Sequence, residues 1–148
     1  MYGTFGRTSF IAVAAIVAAA GSVAALQRDR DGRESDRRPR LVLRAQPSVA
    51  VSPARVVLTA ELVGGANDFE EYYCAAVEWE WGDDTRSEST VDCEPFEAGK
   101  SEIKRRFTIE HVFQRAGAYK VAIRLKQRDK QVATASANVQ IRPGARDF

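Results

Sequence analysis

The stretch from Val77 to Thr85, which reads Val-Glu-Trp-Glu-Trp-Gly-Asp-Asp-Thr, constrains the fold most. Large apolar side chains alternate with glutamates and then meet a Gly-Asp-Asp turn. A period of two is the pattern of a strand with one wet face and one buried face. Glu78 and Glu80 take the wet face, which sends Val77, Trp79 and Trp81 inward. The stretch from His111 to Val121 answers it with a strand end at Phe113, a turn around Gly117 and a new alternation from Tyr119. Aromatic rows of this kind need an opposing layer to cover them.

The same period runs through the rest of residues 41–142. Leu41 and Leu43 begin it. Pro47 and Pro53 then interrupt the chain, as suits an edge strand and a crossing between sheets. Val56, Leu58, Ala60 and Leu62 share one face, and Gly64 to Asp68 reads as a loop. Ile103, Phe107, Ile109 and Phe113 form another inward row. Tyr119, Val121, Ile123 and Leu125 form the next, and Ala133, Ala135, Ala137, Val139 and Ile141 close the set. About seven strands with no helical period predict an all-β sandwich of two antiparallel sheets.

The amino terminus reads as an address. No residue from Thr8 to Leu26 is charged, its centre is apolar, and Val23-Ala24-Ala25 offers small residues of the kind a signal peptidase accepts. Residues 1–26 are therefore expected to be a cleaved signal peptide or an uncleaved membrane anchor helix, with contact to membrane only through residues 8–26. Either places the rest outside the cytoplasm, as a secreted, periplasmic or anchored domain. Residues 27–40 are rich in Arg and Asp and carry no sizeable apolar side chain beyond the first positions, which predicts a charged flexible linker. Residues 143–148 are expected to be a tail.

The residues quoted first now carry a likeness. Trp79-Glu80-Trp81-Gly82-Asp83-Asp84, then His111-Val112-Phe113, then Ala116-Gly117-Ala118-Tyr119 resemble, in order and spacing, the polycystic-kidney-disease-type (PKD) domain. That family shows a Trp-Asp-Phe-Gly-Asp-Gly-type motif, a later His-x-Tyr/Phe, and Pro-Gly-x-Tyr before an alternating strand. Here Glu80, Asp84 and Ala116 depart from the pattern. The resemblance implies an immunoglobulin-like sandwich and a non-catalytic extracellular interaction or spacer module. It also implies that Trp79, Trp81, Gly82, Asp83, His111, Phe113, Gly117 and Tyr119 are structural.

Cys74 and Cys93 are the only cysteines. In an exported protein such a pair is expected to be oxidised. If Gly82 to Thr85 is a four-residue turn, Trp81 opposes Arg86, and stepping outward sets Cys74 directly across from Cys93. Their β-carbons would then lie about 4.5–5.5 Å apart, within reach of a disulfide.

Chemistry is thinly supplied. His111 is the only histidine, and no nucleophile elbow or phosphate-cradling glycine loop occurs. No enzyme activity and no cofactor are expected. Calcium is the one candidate ion, through Asp83 and Asp84, with a turn held by Asx hydrogen bonds as the alternative. The net charge of +2 gives no reason to expect nucleic acid. Residues 67–97 hold eleven acidic and one basic residue, whereas residues 98–148 hold twelve basic and four acidic. Complementary strands or two steering faces both fit that split. The expected contact surface is an aromatic patch rimmed by acid: Phe69, Tyr72, Tyr73 and Phe96 with Asp68, Glu70 and Glu71. An envelope or extracellular protein is the expected partner, with a spacer role or polysaccharide binding as alternatives.

Overall fold

The computed structural model describes residues 20–145. Residues 1–19, which hold most of the expected signal or anchor, and residues 146–148 lie outside that range. Among the described residues no helix is long and apolar enough to cross a membrane.

Two compact units divide the chain between Ser35 and Asp36. Helix α1 (Ala20–Arg37) occupies the stretch where a flexible linker was expected. Lack of apolar side chains argues against a packed core but not against a helix. Arg and Glu are good helix formers, and Arg30 precedes Glu34 by the four residues that favour pairing. The end of the expected linker belongs to the sandwich. Pro39 is fully buried, the Ala66 amide donates to the Arg37 carbonyl at 2.8 Å, and Arg37 pairs with Asp68 at 3.1 Å.

The second unit is a β-sandwich consistent with an immunoglobulin-like fold. One sheet has the order β1-β3-β6 and the other β2-β8-β7-β4-β5. The strands are β1 (Arg40–Gln46), β2 (Val49–Val51), β3 (Ala54–Val63), β4 (Ala76–Glu80), β5 (Arg86–Ser89), β6 (Arg106–Phe113), β7 (Gly117–Gln127) and β8 (Lys130–Arg142). There are eight of them, and one pairing departs from the expected antiparallel pattern. The chain changes sheets after Pro47, and β2 runs parallel to β8. The inward faces meet in one core. Val56, Leu58, Ala60, Val121, Ile123 and Leu125 are completely buried there. In β8 a bulge beside Leu125 and Lys126 leaves Val132 without an opposite residue and adds it to the core, while Ala133, opposite Leu125, packs against the core as alternation places it.

A short 3-10 helix (Glu70–Tyr72) leads into β4. Cys74 follows with φ 52° and turns the chain into the strand. Its disulfide to Cys93 is present, with Cα atoms 6.1 Å apart. The register that suggested it is not. Glu80, not Trp81, opposes Arg86, and β5 ends at Ser89, so neither cysteine lies in a paired strand. The Trp81 amide donates to the Thr85 carbonyl at 3.2 Å, which leaves Gly82, Asp83 and Asp84 between them, a turn one residue shorter than the expected four. The bridge instead ties the entry of β4 to the irregular segment 90–105 that crosses from one sheet to the other.

Arg105 holds the loop after β3. Its guanidinium donates to the carbonyls of Leu62 at 2.9 Å, Gly64 at 2.8 Å and Gly65 at 3.3 Å, and to Asn67 Oδ1 at 2.6 Å. The same loop packs on Pro39. A β-carbon at Gly65 would stand 2.4 Å from the Pro39 nitrogen, and its φ of +60° already favours glycine.

Two outcomes follow from this architecture. Cys93→Ser is expected to lower unfolding stability by about 3 kcal/mol on the chain-entropy account; denaturant curves that overlay those of the wild type would contradict it. Gly65→Ala is expected to cost about 2–4 kcal/mol, because backbone on both sides must move. An unchanged melting temperature would show that Arg37 to Pro39 do not pack on this loop.

Candidate functional site

The motif residues that are scattered in sequence come together as one column. Trp79 and Trp81 project inward from β4, and their rings stack 5.7 Å apart at an interplanar angle of 3°. Trp81 stacks on His111 of β6 at 4.2 Å. His111 meets Phe113 edge-on at 4.7 Å, and Phe113 lies 4.4 Å from Tyr119 of β7. The column crosses from the five-stranded sheet to the three-stranded sheet and back. Trp79, Trp81 and Phe113 are buried. Alternate spacing on β4 and β6 places these rings on the core face, and the turn after Trp81 brings Asp83 round to the end of the column.

Asp83 fixes that end. Its Oδ2 lies 2.9 Å from His111 Nε2, so the imidazole N–H donates to the carboxylate. Its Oδ1 accepts from the Thr85 amide at 3.1 Å and from the Thr85 hydroxyl. Burial alone would raise the Asp83 pKa; the hydrogen bonds from Thr85 and His111 outweigh it and hold the carboxyl below its ordinary range. Gly82, with φ +78°, passes so close to β7 that a β-carbon would stand 2.8 Å from the Lys120 carbonyl oxygen. At the other end, Tyr119 donates its hydroxyl to the Arg115 carbonyl at 2.8 Å across the turn at Gly117. The Trp81 indole donates to Ser87 Oγ at 3.1 Å.

The wet face of the five-stranded sheet uses the opposed charges of the two halves of the chain. Arg124 reaches Glu78 at 2.8 Å and Glu80 at 2.6 Å, Lys126 pairs with Glu78, and Arg86 reaches Glu80 at 3.2 Å. Hydrogen bonds from Lys126 and then Arg124 lower the Glu78 pKa. Complementary strands therefore account for part of the charge split.

The expected contact surface is largely taken apart. Phe69 and Tyr72 are each 5% exposed and meet edge-on at 5.0 Å in the core. Arg38 lies 5.6 Å over both rings and pairs with Glu71. Asp68 is held by Arg37, and Lys130 lies 3.5 Å from Glu71. Glu70 stays exposed. The correction has a simple cause: the arginines assigned to a linker are the counterions of this loop, and the 3-10 turn folds its rings under them. Tyr73 and Phe96 remain half-buried at the surface, edge-on at 5.4 Å, with the Tyr73 hydroxyl donating to the Glu94 carbonyl. Asp84 is exposed with φ 66°, and Asp83 already serves Thr85 and His111. Among the described residues no group of three or more His, Cys, Asp or Glu is arranged to hold a metal ion.

The open feature is a cleft of about 260 Å³ where the two sheets part. Val77 and Trp79 line it from β4, Phe107 and Ile109 from β6, Tyr73 from the entry to β4, Val91 from the crossing segment, and the disulfide joins those last two stretches. Val91 is 59% exposed at its mouth. Asp92, Glu94 and Glu102 stand exposed along the crossing segment, against Lys104. Phe107 and Ile109 were legible as inward residues, but their place at a gap was not. The signal for it is the shortness of β5, which leaves β6 uncovered.

The Asp83 geometry sets a pH dependence. A carboxyl depressed in the folded state stabilises above its unfolded pKa of about 3.9 and loses that contribution as pH falls through the folded value. Asp83→Asn is expected to cost about 1–2 kcal/mol near neutrality, and the gap to wild type should close on acidification below about pH 4. A gap that is constant with pH would contradict the role of the Asp83 carboxylate as acceptor for Thr85 and His111.

No protein-family model matches the chain, and no curated protein matches it. Among solved structures, the chain is similar to the PKD domain of an M14-like peptidase from a Thermoplasmatales archaeon, with TM-score 0.49, 14% identity, and 72% of this chain and 97% of that one covered. It is similar to a putative membrane anchored protein from Corynebacterium diphtheriae, with TM-score 0.49, 13% identity, 70% of this chain and 21% of that one. It is also similar to the CARDB domain of a Pyrococcus furiosus protein, with TM-score 0.42, 10% identity, 71% of this chain and 94% of that one. These structures include a PKD domain, the family that the chain resembles at Trp79 to Asp84, His111 to Phe113 and Ala116 to Tyr119.

Proposed function

We propose that this protein is a non-catalytic, extracytoplasmic interaction module, and that the cleft between the sheets is its contact site for an envelope or extracellular protein. The observation that carries the reading is the cleft itself: an apolar opening beside a disulfide, lined in part by a crossing segment that carries the exposed acids Asp92, Glu94 and Glu102. The only imidazole is committed to Asp83 and Trp81, which leaves it no substrate to meet. The disulfide supports an oxidising compartment. The exposed acids of the crossing segment, Asp92, Glu94 and Glu102, favour a basic partner that presents an apolar side chain to Val77, Phe107 and Ile109. A polysaccharide platform needs coplanar exposed rings, and the coplanar pair here, Trp79 and Trp81, is buried.

The test begins with capture by the full chain from an extract of its source envelope, followed by affinity measurements with the purified bound protein. Val91→Asp, at the mouth of the cleft, is expected to weaken that binding about 10-fold or more, a loss of about 1.4 kcal/mol. Raised salt should weaken it further. Equal affinity for wild type and variant at both salts would remove the cleft from the reading.

A further inference from the structure

Strand β6 is the free edge of its sheet. It pairs with β3 on one side, and among the described residues its other side pairs with no strand. Natural edges are commonly blunted by proline, by bulges or by a covering segment. The span from Arg106 to Phe113 contains no proline, runs in continuous register with β3, and borders the open cleft. Its first five residues, Arg106-Phe107-Thr108-Ile109-Glu110, are complementary to themselves when reversed about Thr108.

We infer that β6 is the dimerisation edge of this protein, joining a second copy of the same strand antiparallel about a two-fold axis at Thr108. In that register Arg106 of each copy faces Glu110 of the other, and Phe107 of each faces Ile109 of the other. Thr108 faces its own copy. A two-fold axis normal to the sheet keeps inner faces inner, so Phe107 and Ile109 stay on the cleft side. Paired residues then have the same parity, so alternate pairs exchange backbone hydrogen bonds as an antiparallel ladder requires. Moving the axis to Phe107 or Ile109 removes both charge pairs, and moving it to Glu110 sets that glutamate against itself. Opposite charges across a strand pair stabilise and like charges destabilise.

The charges extend beyond the seam. Arg106 already pairs with Glu61, and Glu110 with Arg55 at 2.7 Å. Joining two copies produces a row that alternates in sign: Glu61, Arg106, then Glu110 and Arg55 of the second copy. Behind it, Thr59 opposes Thr108 in each copy, so four threonines line up across the seam. The two three-stranded sheets become one six-stranded sheet, and the interface is isologous, so assembly stops at two. This inference rests on the hydrogen-bonding edge of β6 and does not depend on the cleft having a foreign partner.

Sedimentation velocity on the full chain, from low micromolar to near-millimolar concentration, tests it with two variants. The wild type is expected to shift toward twice the monomer mass as concentration rises. Arg106→Glu alone and Glu110→Arg alone should each stay at monomer mass, since each sets like charges against one another at both positions. An equimolar mixture of the two variants should recover the dimer, because the mixed pair restores opposite charges at both. Circular dichroism of each variant confirms that it is folded. Thr108→Cys should also give a covalent dimer under mild oxidation. A wild type that stays monomeric throughout would overturn the proposal. So would a dimer that survives both single variants, or folded variants that fail to associate when mixed.

Discussion

Everything in the sandwich hangs on one contact between its sheets: the stack of Trp81 on His111, pinned by the hydrogen bond from His111 to Asp83. The ring column that includes it begins on β4, crosses to β6 and returns to β7, so three strands share one set of contacts. The turn after β4 depends on it as well, because Asp83 serves Thr85 and His111 with the same carboxylate. Buried polar groups stabilise only when they are fully partnered. Here the indole N–H of Trp81 and the carboxylate of Asp83 both find partners, and among the described residues no buried side-chain polar atom is left without one. A column of rings thus gives the core its width, and one acid at its end fixes the register of the turn.

The sequence was legible where period and burial coincide. The inward rows of β3, β4 and β7 followed from alternation alone, because each of those strands packs one face on the core. Cys74 and Cys93 are bonded, yet the hairpin register used to pair them was one residue out and the bond lies beyond the paired strands. The pairing of the two cysteines was the sound part of that inference; the ladder was not. Alternation also failed at Val132, where a bulge shifts parity. Phe69 and Tyr72 looked like surface aromatics because they sit among acids in a loop. The structure buries them under Arg38, whose own segment had no apolar residue to announce that it would pack. Long-range charge pairing of that kind leaves no periodic trace.

The site follows the same logic. The motif residues that look most chemical, the lone histidine and the paired aspartates, lie within the scaffold's packing and turn. What stays open lies where scaffold runs out: β5 is short, the crossing segment is irregular, and β6 is left with an unpaired edge beside an apolar cleft. A β-sandwich frame lends itself to this division, since a packed core holds its edges and loops in fixed places. On the outer face of the five-stranded sheet Glu78 and Glu80 of the acidic half meet Arg124 and Lys126 of the basic half. The acids along the crossing segment lie outside that ladder.

The most direct test of this account is a double-mutant cycle between Asp83 and His111, measured by denaturant unfolding at mildly acidic pH with Asp83→Asn, His111→Gln and the double variant. If the pair is the pin of the inter-sheet column, the two substitutions should be non-additive, with a coupling of about 1 kcal/mol or more. Additive losses would mean that the turn and the histidine act independently, and that the column holds the sheets together without its acid.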